Sequence, residues 1–233
     1  LRPHALGEAA FVVRAMAARF PAGTVHIVVV DPGVGGRRAS IVVACRDGSV
    51  LVGPDNGVLG PLCDALGGGT AFRIDPTRLD AAPRVGTTFD GRDVFAPAAA
   101  QIATGTDPGA LGPPIGLRRL PVAGPKRTAT GANGSVLHID RFGNLVTDVP
   151  TSWVPRGTSS VGVRLGRVRR RVAFVTSYEQ GGRGRLLALG SSFGTLELAV
   201  GAGRAADRAR AGVGSRAGFA WTKDPARPAR RKR

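Results

Sequence analysis

The sequence predicts an α/β domain followed by a small antiparallel β-barrel or sandwich domain. In the first half of the chain, apolar β-branched runs alternate with helical patterns, as in a sheet covered by helices. From residue 135 onwards, short apolar runs follow one another across tight turns without intervening helical patterns. Between the two halves, residues 122–134 are interrupted by several small residues, which is typical of a linker.

These patterns set the expected domain bounds. We expect the α/β domain over residues 1–121, a linker over 122–134 and the β domain over 135–213. The last segment, 214–233, is basic and ends in a run of arginine and lysine, so it is expected to be a disordered tail.

The α/β half begins with a helical pattern over residues 8–20, whose apolar positions fall on one stripe. A nearly continuous β-branched run at 25–30 predicts a strand buried on both faces. The last helix of this half tolerates Pro97 because the proline falls in its first turn. The other expected elements are strands at 40–44, 50–52 and 71–74 and helices at 58–66 and 94–104.

The β half is expected to contain six short strands and a final helical fragment at 205–211. Five arginines lie on two of these strands and their turn, and positive charge on an edge strand discourages pairing with another sheet. Edge protection is therefore the first interpretation of this group, and contact with an anion or RNA is the second. The arginines are Arg164, Arg167, Arg169, Arg170 and Arg171. The strands are expected at 135–139, 145–149, 160–165, 170–176, 185–189 and 195–200.

The formal net charge of +17 points towards nucleic acid or an anionic surface as a partner. Aromatic residues make up 5% of the chain, which is too few to supply stacking platforms among the basic residues. Arginine is also common throughout an alanine- and glycine-rich sequence, so composition alone can explain the charge. Nucleic-acid binding is therefore kept as a minority alternative.

The apolar runs are far shorter than the roughly 18 residues that a membrane span requires. We expect no membrane contact and a cytoplasmic location. Cys45 and Cys63 fall in a predicted strand and a predicted helix, where packing as small apolar groups is favoured over a bridge. The histidines have no metal-binding spacing, so no metal is expected.

Two polar loops follow strands of the first half. Asp31 ends the first strand and is separated by a glycine-rich loop from Arg38, and Asp55 and Asn56 follow a later strand. Ligands bind at such strand ends in open α/β sheets, so we expect both loops to line one crevice. Asp31 and Arg38 then either form a structural ion pair or together order a bound water.

Five segments, VVDPGVGGRR, VGPDNGVLG, TTFDGRDVFAPAAA, HIDRFGNLVTDV and LGSSFGTLELAV, occur in order over most of the chain. Together they resemble the S-adenosylmethionine (SAM) hydrolases, or SAM hydroxide adenosyltransferases, whose relatives include fluorinating and chlorinating enzymes. The resemblance implies a Rossmann-like first domain. In the family an earlier strand and helix come first, and that strand ends in an aspartate that holds the ribose hydroxyls. The present chain lacks this segment, so we expect a fragment or a shortened member.

The resemblance further implies that Asp31, Arg38 and Asp90 bind and polarise the water that attacks the ribose C5′ carbon. The family usually has a histidine at the position of Asp90. A neutral imidazole can both donate and accept a hydrogen bond, whereas a carboxylate only accepts. Asp90 is therefore expected either to act as a base for the water or to neutralise Arg38 and quench the site. SAM is the substrate, and no cofactor is expected.

The resemblance also implies a substrate-binding set in both halves, although each member alone fits an ordinary turn or strand. Asp55 and Asn56 would line the nucleoside pocket, and the other members would grip the amino acid and the base. Those others are Asp140, Asn144, Ser192, Glu197 and the backbone near Val200. The family is expected to form a homotrimer in which neighbouring subunits share each site.

The leading hypothesis is hydrolysis of SAM to adenosine and L-methionine by in-line attack of water. The change from histidine to Asp90 and the missing ribose-binding segment are both expected to weaken or abolish this activity. A non-catalytic SAM- or adenosine-binding protein is the alternative. A basic RNA-binding module is the third possibility. Nothing in the sequence selects a halide as the nucleophile.

Overall fold

A computed structural model describes residues 2–17, 19–121 and 123–221, and the chain divides into two compact units after residue 122. Within these ranges, no helix combines the length and the apolar character needed to cross a lipid bilayer. The part of the expected disordered tail beyond residue 221 lies outside the described residues.

The first unit is built on a five-stranded mixed sheet with the order β1-β3-β2-β4-β5. Of the described pairs, β1–β3 is parallel and the others are antiparallel. Strands β2 and β3 pair antiparallel because the tight turn at residues 46–49 joins them directly. The strands are β1 (Val25–Ile27), β2 (Ser40–Cys45), β3 (Val50–Pro54), β4 (Gly69–Arg73) and β5 (Pro114–Ile115).

Helices cover both faces of this sheet. Helices α1 (Leu6–Ala17) and α2 (Gly60–Ala65) pack on one face, and α3 (Ala96–Ala103) packs on the other. A π-helical turn at Gly91–Phe95 leads directly into α3. Successive side chains of a strand point to opposite faces of the sheet. Alternate strand residues therefore pack into the two apolar layers between the sheet and its helices.

The prediction of a fully buried strand at residues 25–30 was wrong. The strand is shorter, and Ile27 and Val29 are 46% and 49% exposed. Among the described strands, β1 pairs with β3 alone and forms an edge of the sheet. An apolar β-branched run cannot by itself distinguish a central strand from an edge strand.

The second unit is a closed, seven-stranded mixed β-barrel. The order β13-β9-β10-β11-β12-β8-β7 closes because β13 also pairs with β7, and β6 adds to β7 outside the ring. The β10–β11 pair is parallel. The elements are β6 (Lys126–Thr128), β7 (Gly131–Ile139), β8 (Leu145–Pro150), β9 (Ser160–Leu165), β10 (Val168–Phe174), β11 (Leu186–Gly190), β12 (Thr195–Val200), α4 (Ala205–Ala209) and β13 (Arg216–Trp221). The predicted fold class, an α/β domain followed by a small β domain, is confirmed.

Three strands lie in segments for which no strand was expected. Strand β5 follows α3, beyond the last strand expected in the first half. Strand β6 occupies part of the expected linker at 122–134, and β13 occupies part of the expected tail at 214–233. Ala217 and Phe219 of β13 are buried in the barrel core. Strand β13 is hard to recognise in the sequence because half of its residues, in the segment RAGFAW, are alanine or glycine, which have little strand propensity.

Candidate active site

A buried ion cluster lies where the polypeptide leaves β1. Arg38 Nε donates to Asp31 Oδ2 at 2.9 Å, and Arg38 Nη2 contacts both Asp31 Oδ2 and Asp90 Oδ2. The side chains of Asp31, Arg38 and Asp90 are 5%, 9% and 6% exposed. One guanidinium therefore bridges two carboxylates away from solvent.

Local structure holds each member of this cluster in place. Asp31 Oδ1 accepts the N–H of Gly33 at 3.2 Å, which closes the loop after β1. Arg38 lies two residues before the start of β2, donates to Ser40 Oγ at 2.9 Å and places its Cζ 5.5 Å from the centre of the Phe95 ring. Asp90 lies at the N-terminus of the π-helical turn, a type of local distortion that is frequent at functional sites.

The cluster keeps Arg38 positively charged. Burial lowers the pKa of Arg38, but the hydrogen bonds and the charges of Asp31 and Asp90 act in the opposite direction and raise it overall. The guanidinium therefore supplies a fixed positive charge and directed donors in a site shielded from solvent.

Arg84 is a fourth member that was missed from the sequence. Its Nη2 contacts Asp90 Oδ1, so both oxygens of Asp90 accept from guanidinium groups. The side chain of Arg84 is 35% exposed and comes from the loop before Asp90. The available signal was charge balance, because two buried carboxylates and one arginine call for a second cation nearby.

The second polar loop reaches the same end of the first strand. Asn56 Nδ2 donates to the carbonyl oxygen of Val30 at 2.9 Å, directly beside Asp31, and Asn56 Oδ1 accepts from Val58 N. Asp55 Oδ1 accepts the N–H of Arg118 at 2.8 Å. The two loops thus converge, and the contacts of Asp55 and Asn56 in this structure are made to the backbone.

In the barrel, Asp140 and Asn144 stabilise the turn between β7 and β8. Asp140 Oδ1 accepts the N–H groups of Phe142 and Asn144 at 2.9 Å, and Asp140 Oδ2 accepts from Asn144 Nδ2 at the same distance. The turn leaves the Phe142 side chain 65% exposed. This hydrogen-bonding pattern fits the plain turn interpretation and also fixes the direction of both polar side chains.

Glu197 is a buried acid on the neighbouring strand β12. It is 4% exposed, and Tyr178 Oη donates to its Oε1 at 2.6 Å. Burial raises the pKa of Glu197, the hydrogen bond from Tyr178 lowers it, and the charge of Asp140 raises it, with a net upward shift. Among the described residues no cation forms an ion pair with Glu197, so its charge is not balanced.

The two remaining predicted residues have different surroundings. Ser192 is exposed, whereas its neighbour Ser191 accepts the N–H of Phe193 and contacts Thr195 Oγ1. Val200 ends β12 opposite Leu186, and its carbonyl oxygen accepts the N–H of Gly203. Ser191 therefore fulfils the turn role that the sequence also allowed for Ser192.

The fold and the buried cluster define a two-domain protein with a polar site at the end of a sheet. Two family models match the chain, the SAM hydroxide adenosyltransferase N-terminal domain over residues 1–112 and the SAM hydroxide adenosyltransferase C-terminal domain over residues 134–217. The chain belongs to the SAM hydroxide adenosyltransferase family, as the resemblance of the five segments predicted.

Similar proteins agree with this assignment. The (R)-S-adenosyl-L-methionine hydrolase of Salinispora tropica is 40% identical over 200 residues, which cover 84% of this chain and 74% of the relative. A Thermus thermophilus protein of the same name is 38% identical over 216 residues, covering 88% and 79%. A solved structure titled as an uncharacterized conserved protein from Thermotoga maritima has a TM-score of 0.87 at 30% identity, covering 94% of this chain and 86% of that one.

Proposed function

We propose that the protein hydrolyses S-adenosyl-L-methionine to adenosine and L-methionine by attack of water at the ribose C5′ carbon. The observation that carries this proposal is the buried bridge of Arg38 between Asp31 and Asp90. Membership of the family and the names of its relatives supply the substrate.

The reaction needs a held nucleophile more than a strong acid. A lone pair of the water oxygen forms the bond to C5′ while the C5′–S bond breaks. The electron pair of the broken C5′–S bond stays on sulfur and converts the sulfonium into the neutral thioether of methionine. One water proton leaves to a carboxylate and then to solvent. Positioning and electrostatics therefore supply the catalysis.

Asp31 is the acceptor best placed to hold this water. Its Oδ1 accepts one described hydrogen bond, from Gly33 N, and a carboxylate oxygen can accept a second. Arg38 fixes the direction of Asp31 through Oδ2. Asp90 holds the other side of Arg38, in the place of the family histidine.

The substrate-binding roles form part of the same proposal. The nucleoside would lie against the loop of Asp55 and Asn56, which reaches the end of the first strand. Glu197 suits the amino group of the methionine portion, because a buried carboxylate without a cation gains most from a positively charged ligand. The other proposed contacts are Asp140, Asn144, Ser192 and the backbone at Val200.

A non-catalytic SAM- or adenosine-binding protein is the second candidate, and one observation favours it. Each oxygen of Asp90 already accepts from a guanidinium group, Oδ2 from Arg38 and Oδ1 from Arg84, so the charge of Asp90 is used in ion pairing. If this pairing persists with substrate bound, Asp90 neutralises the cluster and does not assist the water.

One experiment separates the candidates. The purified protein is incubated with SAM, and adenosine and methionine are followed by chromatography, with the Asp31→Asn variant as the control. Equal amounts of both products, lost in the variant, support the enzyme. Binding of SAM by calorimetry without product supports the binding protein. In an active enzyme, Asp90→His should raise the rate, and an unchanged or lower rate would contradict the water-site assignment.

The proposal extends to assembly and location. A homotrimer with sites shared between subunits and a cytoplasmic location follow from the family resemblance. Sedimentation equilibrium should give three times the chain mass, and a monomer at micromolar concentration would contradict the trimer. The free cysteines Cys45 and Cys63 suit a reducing compartment.

A further inference from the structure

The outer wall of the barrel places arginines against each other. Arg164 of β9 stands directly opposite Arg169 of β10, and both are exposed. Like charges in this position destabilise an antiparallel pair. Edge protection, the first interpretation of these residues, is wrong for Arg164 because β9 is paired on both sides, with β10 and with β13. We therefore consider the second interpretation of these arginines, contact with an anion or RNA.

The strand register extends this charge into a line. Arg164 is opposite Gly218 of β13, Gly218 is opposite Asn133 of β7, and Asn133 is opposite Lys126 of β6. We call the line Arg169, Arg164, Gly218, Asn133 and Lys126 the cationic row. It crosses five strands, or about 19 Å at the usual strand spacing.

Gly218 allows the side chain of Arg164 to lie along the row. A Cβ atom on Gly218 would lie 3.0 Å from Arg164 Nη2 and 3.2 Å from Asn133 Oδ1. Arg164 Nη2 donates to Asn133 Oδ1 at 3.3 Å across this space. A neutral amide thus holds the guanidinium, and its charge stays available.

Two adjoining clefts open along the row, with volumes of about 460 and 320 Å³. Arg164 and Arg169 line both clefts, Arg216 lines the first and Arg171 lines the second. No acidic residue of the described chain lines either cleft. The side chains of Arg169 and Arg216 have no described hydrogen-bond or ion-pair partner.

One carboxylate adjoins the row. Asp148 of β8 lies beside Gly134, and its Oδ1 accepts the N–H of Ser135 at 2.8 Å. Burial raises the pKa of Asp148, which disfavours its charged form. It forms no described ion pair with the arginines, so the row keeps its positive charge.

We infer that the cationic row binds the sugar–phosphate backbone of a nucleic acid without reading its bases. Arginine guanidinium groups suit phosphate oxygens, and a line of about 19 Å spans several phosphates. The row contains no aromatic side chain, and Phe219, which lines the second cleft, is buried, so neither offers a platform for base stacking. The low aromatic content that argued against nucleic-acid binding thus excludes base stacking and leaves contact with the backbone.

A second copy of the chain suits this surface less well. The chain has 33 basic and 16 acidic residues, and several of the acids are already paired with arginines. Another copy therefore presents little acidic surface, and its own cationic row repels this one.

The test compares two triple variants of the full chain by fluorescence anisotropy with a labelled 20-nucleotide RNA and a DNA duplex of mixed sequence. The first is R164S/R169S/R216S. The matched control, R14S/R46S/R73S, removes the same charge from exposed positions of the first unit. Both variants keep the basic C-terminal residues. Thermal unfolding checks folding, and the single variant Arg169→Ser replaces the first triple if that does not fold.

We expect the first triple to weaken binding at least about tenfold and to lower the slope of log Kd against log salt by about two to three. The single variant should lower the slope by about one. The control should bind nearly as well as the unchanged protein. Equal losses in both triples, or no loss in the first, would overturn the inference. If poly-glutamate displaced the labelled RNA as effectively as unlabelled RNA does, the inference would be overturned in favour of an acidic protein partner.

Discussion

The two units of the molecule differ in how the charges of their buried carboxylates are balanced. In the first unit, Asp31 and Asp90 share Arg38, and Arg84 adds a second guanidinium to Asp90. Two negative charges therefore face two positive ones. In the barrel, Glu197 accepts from the Tyr178 hydroxyl, and no described cation pairs with it.

This difference separates a site that is complete by itself from one that a ligand completes. The charges around Arg38 are balanced before any substrate arrives, so their geometry is fixed in advance. The hydrogen bond from Tyr178 offsets part of the cost of burying Glu197, and a proton or a cation would stabilise this carboxylate further. Under the proposed function, the amino group of the substrate would supply that cation.

The largest expected effect comes from Arg38→Met, which leaves two buried carboxylates without their shared partner. We expect the free energy of unfolding to fall by about 3–5 kcal/mol and hydrolysis to be lost. Urea unfolding followed by circular dichroism measures the change. Arg92→Met is the control, because Arg92 also pairs with a carboxylate, that of Asp93, but its own side chain is 61% exposed. A similar decrease in the free energy of unfolding in both variants would show that the buried bridge stabilises the fold no more than the exposed arginine does.

Asp31→Asn tests the balanced site by changing charge and keeping shape. The amide holds a water less well and cannot take its proton, so kcat should fall about 10²–10³-fold with little change in KM. Steady-state release of adenosine measures both constants. The exposed Asp80→Asn serves as the control. A raised KM with an unchanged kcat would assign Asp31 to binding instead.

Arg84→Gln shifts the balance by one charge. The proposed water lies beside the sulfonium carbon, so removing a nearby cation should favour the cationic substrate and lower KM about fivefold. The decrease in KM should become smaller as the salt concentration is raised from about 50 to about 500 mM, because salt screens the interaction between charges. Arg78→Gln, in a more exposed pair with Asp75, is the control. A higher KM would mean that Arg84 helps to bind the substrate.

The smallest expected effect is that of Glu197→Gln on stability. Because the pKa of Glu197 is raised in the folded protein, its contribution favours folding below the unfolded pKa and is lost as the pH rises through the folded value. The variant should therefore unfold at a higher temperature than the unchanged protein at pH 8, and the gain should disappear near pH 4. Glu179→Gln, at an exposed neighbouring position, should show no such trend. A gain that is constant with pH would contradict the argument.

Much of the fold could be predicted because patterns of period and turn are local. The runs at 40–44 and 50–52 became β2 and β3, and Pro97 lies in the first turn of α3 as expected. Strand β13 was not predicted, because its small residues become apolar neighbours only when the barrel closes around them. The exposure of β1 likewise depends on which strands pair with it, and this is not a local property.

The candidate site likewise contains some contacts that the sequence predicts and others that it does not. Asp31 and Arg38 stand seven positions apart across one loop, so their contact followed from the sequence. Asp90 lies 52 positions from Arg38, and only the family motif connected them. Arg84 belongs to no motif, and its contact with Asp90 depends on the path of a loop that no periodicity describes.

The closure of the barrel by β13 has a consequence for the order of folding. Residue pairs such as Arg216 and Ser135 are separated by roughly eighty positions, and contacts between such distant residues form slowly. Refolding of the second unit should therefore be slower than that of the β2–β3 hairpin in the first. Before β13 docks, β7 and β9 each present an edge of unpaired backbone groups, and such exposed edges favour aggregation during synthesis or refolding.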